Sequence, residues 1–155
     1  MLHTRLVRMV EDHADQITHA LLNDLQSNPR TPTFHSLSRD ELHRRVFEVY
    51  RNLGRWVANE ADETVEAAYS DLGKIRFAED IPLSEVVYAL ILTKYHLREY
   101  ISTSALLDSA IELYQEKELQ RMIGMFFDKA IYFTVQAYMQ EAARWFERYA
   151  ATRSH

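Results

Sequence analysis

Ile81–Ile101 reads IPLSEVVYALILTKYHLREYI, a helix that sets the class of the whole chain. Pro82 opens it, where a missing N–H costs nothing. From Val86 to Leu92 the run is apolar around most of a helix circumference, and it then turns polar at Lys94, His96, Arg98 and Glu99. Such a helix is either central in a fold or shared between a core and a partner surface. The apolar run is far shorter than the ~20 residues that cross a bilayer, so no membrane association is expected. Glu85, in the first turn, complements the helix dipole without any functional role.

Toward the C-terminus a second apolar stretch, MIGMFFDKAIYFTVQAYM (Met122–Met139), lies within a region from Ala105 to about Arg148. That region reads as one very long helix, or as a short helix followed by a long one. Its Phe126, Phe127, Tyr132, Phe133, Tyr138, Trp145, Phe146 and Tyr149 cover more than one helix face. One face fills a core, and the surplus calls for a second subunit or an apolar ligand, because large exposed apolar patches are rare on monomers. Tyr88, Leu92, Tyr95, Phe126, Phe127, Asp128, Ile131, Phe133 and Tyr138 are the candidates for a ligand pocket or dimer seam. A dimer interface is the better account. Asp128 and Lys129 read more simply as the solvent edge of an amphipathic helix than as a polar anchor.

Toward the N-terminus, Leu2–Gln26 carries Leu6, Met9, Val10, Ile17, Leu21 and Leu25 at helical spacing and predicts one helix. Pro29 and Pro32 mark Ser27–Ser36 as a linker. Ser38-Arg39-Asp40-Glu41 is a capping-box pattern, in which serine and glutamate satisfy each other's orphan N–H groups. It opens a helix that runs to Val57. Another begins at Asp62 or Glu63 and leads to Phe77. Gly54, Gly73 and Gly124 fall inside helical patterns, where each costs about 1 kcal/mol relative to alanine, so all three predict close helix packing. No stretch alternates with period two. The expected fold is all-α: one domain over residues 1–150 with a tail at 151–155, a bundle of about five to six helices with a long C-terminal one.

Composition narrows the function. A formal net charge of −5, with Arg and Lys spread along 155 residues, gives no footprint for nucleic acid. The chain has no cysteine, which removes thiolate metal sites, iron–sulfur clusters and cysteine nucleophiles. No Glu-x-x-His pair suits a di-iron bundle, and there is no His-Glu-x-x-His, phosphate loop or Gly-x-Ser-x-Gly elbow. Among the seven histidines, His96 in the central helix is the one candidate for haem ligation or pH sensing. A lone histidine without a second ligand is more often a partly exposed helix residue. MLHTRLVRMVEDHADQ at the start lacks a secretory h-region, so a cytoplasmic setting is expected.

Several pieces together resemble a bacterial family, the N-terminal sensor domain of RsbRD-type stressosome proteins (RsbT co-antagonists). They are LLNDLQSNPRTPTFHSLSRDELHRRV, LGKIRFAEDIPLSEVVYALILTKYHL and FFDKAIYFTVQAYM, in order from about His13 to Met139. Leu72-Gly73-x-x-Arg76 followed by Ile81-Pro82-Leu83-Ser84-Glu85-Val86 is the most specific part, and Phe126-Phe127-Asp128-x-Ala130 is next. The resemblance implies a non-enzymatic sensory domain with a globin-like helical fold, no haem, a homodimer and a signalling partner. It supplies no catalytic residues. The alternatives are a haem or tetrapyrrole sensor using His96, and a cofactor-free helical lyase or hydrolase.

Overall fold

The computed structural model describes residues 4–58, 62–104 and 109–153. Among them are seven α-helices and no strand: α1 (Thr4–Asp12), α2 (Ala14–Leu25), α3 (Arg39–Arg51), α4 (Leu53–Ala58), α5 (Asp62–Ala78), α6 (Leu83–Ser104) and α7 (Ala110–Arg153). The all-α expectation holds, and the long C-terminal helix is unbroken from Ala110 onward. Its junction with α6, at 105–108, lies outside the described residues.

The helix count exceeds the expected five to six because two continuous apolar patterns are each broken once. His13 leaves helical geometry (φ −112°, ψ 19°), and its Nδ1 donates to the Met9 carbonyl at 2.8 Å. Asn52 does the same (φ −117°, ψ 28°), with Nδ2 donating to the Glu48 carbonyl at 2.9 Å. In both cases a polar side chain competes for a carbonyl one turn back and re-aims the chain. The second break brings α4 across α1, where Gly54 N–H donates to Glu11 Oε2 at 3.0 Å. As the capping pattern predicts, the Ser38 hydroxyl accepts from Glu41 N–H at the start of α3.

The Ser27–Ser36 linker is firmly anchored. Thr31 and Phe34 are buried, and Pro32–Ser36 forms a 3₁₀ turn. Glu85 holds that turn from the first turn of α6, accepting from Thr33 N–H at 2.8 Å and from the Thr33 hydroxyl at 2.7 Å. Its carboxylate is buried and has a dedicated task, beyond complementing the helix dipole.

The helix α5 runs parallel to α7, with contacts climbing both together: Asp62 with Lys129, Gly73 with Thr134 and Ala137, Phe77 with Tyr138. At Gly73 a Cβ would lie 2.3 Å from the Thr134 carbonyl oxygen, so only glycine admits this approach. Gly124 is a correction to the expectation of three close crossings, since nothing would lie within 4 Å of a Cβ there. The α5 helix ends in a Schellman motif: Ile81 N–H reaches the Arg76 carbonyl and Asp80 N–H the Phe77 carbonyl. Asp80 carries φ 59° at the position usually given to glycine. The Tyr138 hydroxyl donates to the Ile81 carbonyl at 2.7 Å and ties α7 to this turn.

Candidate functional site

Two features stand out once the core is accounted for: an outer apolar stripe on α7 and a cavity between α3, α5 and α6. The inward stripe of α7 is Leu119, Ile123, Phe126, Phe127, Ala130, Thr134 and Ala137, all buried. Nearly opposite, Met125 (48% exposed), Tyr132 (60%), Met139 (57%) and Phe146 (64%) recur every seven residues. Asp128, Val135, Ala142 and Tyr149 fall three residues after each, the a/d spacing of a coiled coil. Residues 143 to 153 are all exposed, so the last turns of α7 project beyond the body of the fold. There Trp145 stacks on Tyr149, with ring centroids 5.2 Å apart.

The cavity, about 370 Å³, opens because α3 packs on α2 and α5 packs on α7, leaving a gap between the two pairs that α6 floors. Its lining is mostly apolar, including Leu42, Val46, Val49, Trp56, Leu72, Val86 and Leu90, with Tyr69, Thr93, Arg44, Arg45, Glu48 and Arg76 as polar members. Arg76 is 6% exposed. Its Nη1 donates to Glu79 Oε1 at 2.7 Å, and its guanidinium carbon lies 5.4 Å from the Phe34 ring centroid. Burial drives the Tyr69 hydroxyl far above the ordinary tyrosine range, and the nearby Glu48 charge adds to this, so the phenol stays neutral. Behind Trp56 and Tyr69 stands Phe126 of α7, with centroids 5.5 and 5.7 Å away.

The residues singled out from sequence separate in this geometry. Phe126, Phe127 and Leu92 are core, and Ile131, Phe133 and Tyr138 pack against it half-buried. Tyr88 is half-buried, and its hydroxyl accepts from Arg30 Nη1 at 3.2 Å. Tyr95 is exposed, with Ile91 one turn before it. Asp128 is exposed at a d position of the outer stripe, and Lys129 pairs with Asp62 at 2.8 Å on the surface. None of the nine candidates lines the cavity.

His96 is partly buried, and its Nε2 lies 2.7 Å from Asp24 Oδ2. That nitrogen, which iron ligation through Nε2 would need, is engaged with a carboxylate. Burial pushes the Asp24 carboxyl up, but hydrogen bonds from Asn28 and His96 and the His96 charge outweigh it and hold it below its ordinary value. A second histidine group joins Asp15 and His19 on α2 to His43 on α3, with His43 Nε2 2.8 Å from Asp15. Here Arg39 Nη2 donates to His19 Nδ1 at 3.3 Å, which leaves the proton on Nε2 and sets a positive charge beside the group.

Sequence reasoning did not find the cavity, whose walls come from helices distant in the chain. The outer stripe did leave a signal, the seven-residue recurrence of Met125, Tyr132, Met139 and Phe146. Among the described residues no helix is long and apolar enough to cross a membrane. No curated protein and no solved structure matches the chain. The family model described as RsbT co-antagonist protein rsbRD N-terminal domain matches residues 8–153, nearly the full length, and the chain belongs to that family.

Proposed function

We propose that this regulatory domain of stress-response signalling works as a homodimer joined along the outer stripe of α7. The observation that carries the reading is the a/d spacing from Met125 to Tyr149, exposed at every a position and at Asp128 and Tyr149 and half-buried at Val135 and Ala142, a seam of roughly 36 Å at ~1.5 Å rise per residue. A second copy is the occupant the pattern fits best, because the same stripe on an identical helix is self-complementary about a two-fold axis. The projecting end supports it further, since an unsupported helical segment this short is marginal in water.

In this reading the domain is non-enzymatic and globin-like in its packing, as the family resemblance implies, it works in the cytoplasm, and a further signalling protein receives its output. Phe126 links the two features. It packs on Trp56 and Tyr69 at the cavity wall, while its neighbour Met125 begins the outer stripe. A change in cavity filling is thereby passed to α7 as a shift between two packings of the seam.

Molar mass from light scattering tests the reading. The expected result is a two-chain mass for the intact protein and a one-chain mass for Met139→Glu, with Gln140→Glu, one residue off the stripe, remaining two-chain. A one-chain mass for the intact protein at all concentrations contradicts it.

A further inference from the structure

From the cavity's lining we infer a binding site for a small apolar carboxylate, held at its charged end by Arg76. At about 30 Å³ for each liquid-packed group the size of a water, 370 Å³ holds on the order of a dozen non-hydrogen atoms. The lining has the form of a small-molecule site, an apolar wall with a few fixed polar groups. Those polar groups favour an anion. Three arginines line the space against one glutamate, with Arg76 paired to Glu79 at 2.7 Å and Arg45 to Glu41 at 3.7 Å behind the lining.

Arg76 is the anchor because it is nearly buried at the cavity wall and one edge of its guanidinium makes no hydrogen bond among the described residues. Among the described residues its side chain makes one hydrogen bond, from Nη1 to Glu79, which leaves the Nε–Nη2 edge as a free fork. That edge matches the two oxygens of a carboxylate, and the guanidinium lies over the Phe34 ring, 5.4 Å from its centroid. A second unmet donor lies on the opposite wall: Arg45 Nε is buried without a hydrogen-bond partner among the described residues, with Glu41 Oε1 3.7 Å away. Glu48, exposed at the cavity's edge, is the one lining group that opposes an anion.

Trp56 lines the cavity and Trp145 lies on the projecting helix, so Trp145→Phe leaves a single indole reporting on the cavity. The probes are decanoate, with twelve non-hydrogen atoms, and decanol, its uncharged counterpart, both well below micelle-forming concentration. Saturable change in Trp56 emission is expected with decanoate, and binding at least tenfold weaker with decanol. Arg76→Gln is expected to abolish that preference, and Glu48→Gln to strengthen decanoate binding severalfold. Equal affinity for the two probes in the unsubstituted cavity, or no saturable response to decanoate, overturns the inference; both are read with the exposed Trp145 alone replaced and need no substitution in the core or the cavity. The inference rests on the cavity alone. A one-chain protein that still prefers decanoate contradicts the dimer and leaves this site standing.

Discussion

The helix α5 treats its two neighbours in opposite ways. Against α7 it closes to backbone contact at Gly73, while toward α3 it stops short and leaves room for about a dozen atoms. The difference lies in the side chains. Gly73, Ala137 and Thr134 are small where α5 meets α7, whereas Arg76, Tyr69 and Leu72 face Arg45, Val46 and Val49 across the gap. One side of α5 is a fixed seam and the other is adjustable. A domain that responds to something needs both, since a rigid element transmits what a loose one receives.

Breaking the seam gives the largest expected effect. Gly73→Ala places a Cβ against backbone that no rotamer change relieves, and we expect a loss of roughly 3 kcal/mol, the upper end for overpacking. Ala68→Leu, exposed at the cavity edge of the same helix, is expected to change stability by less than about 0.5 kcal/mol. Urea unfolding of the two variants measures the contrast directly; equal losses would erase the distinction between the two sides.

The floor of the cavity is braced from outside by Asp24 and His96, and that brace is sensitive to acid. Because Asp24 holds its proton less tightly when folded than when unfolded, its contribution is present above the ordinary aspartate value of 3.8 and disappears as pH falls through its lower folded value. Asp24→Asn is expected to cost about 1 kcal/mol at neutral pH. The difference between variant and parent should shrink in urea midpoints taken below pH 3.8; a gap that persists there assigns the brace to something other than charge.

Apart from the Ala68 control, the smallest effect is at the end of α5. Asp80→Gly relieves a left-handed residue and is expected to stabilise by about 0.5–1 kcal/mol in thermal unfolding. A destabilised variant would mean that the Asp80 side chain does more for the turn than its backbone costs.

Much of this frame is legible in the sequence. Pro82 and the run to Leu92 mark α6, the capping box marks α3, and the surplus aromatics announce that α7 has two faces. The breaks at His13 and Asn52 are not legible, because the apolar spacing continues through them and only a side chain reaching one carbonyl ends the helix. Gly73 and Gly124 look alike in sequence, and only the path of a neighbouring helix tells a close crossing from an open one. The cavity is hidden for the same reason. Arg45 and Arg76 are ordinary helix-surface residues until α3 and α5 are held apart over α6.

Hydrogen exchange along residues 143–153 tests the central claim, that a second copy covers the outer face of α7. In a single chain this segment is exposed throughout, so its amides should exchange quickly once the helix end frays. The account predicts strong protection that rises with protein concentration and is lost in Met139→Glu. Rapid exchange of this segment at every concentration would contradict it.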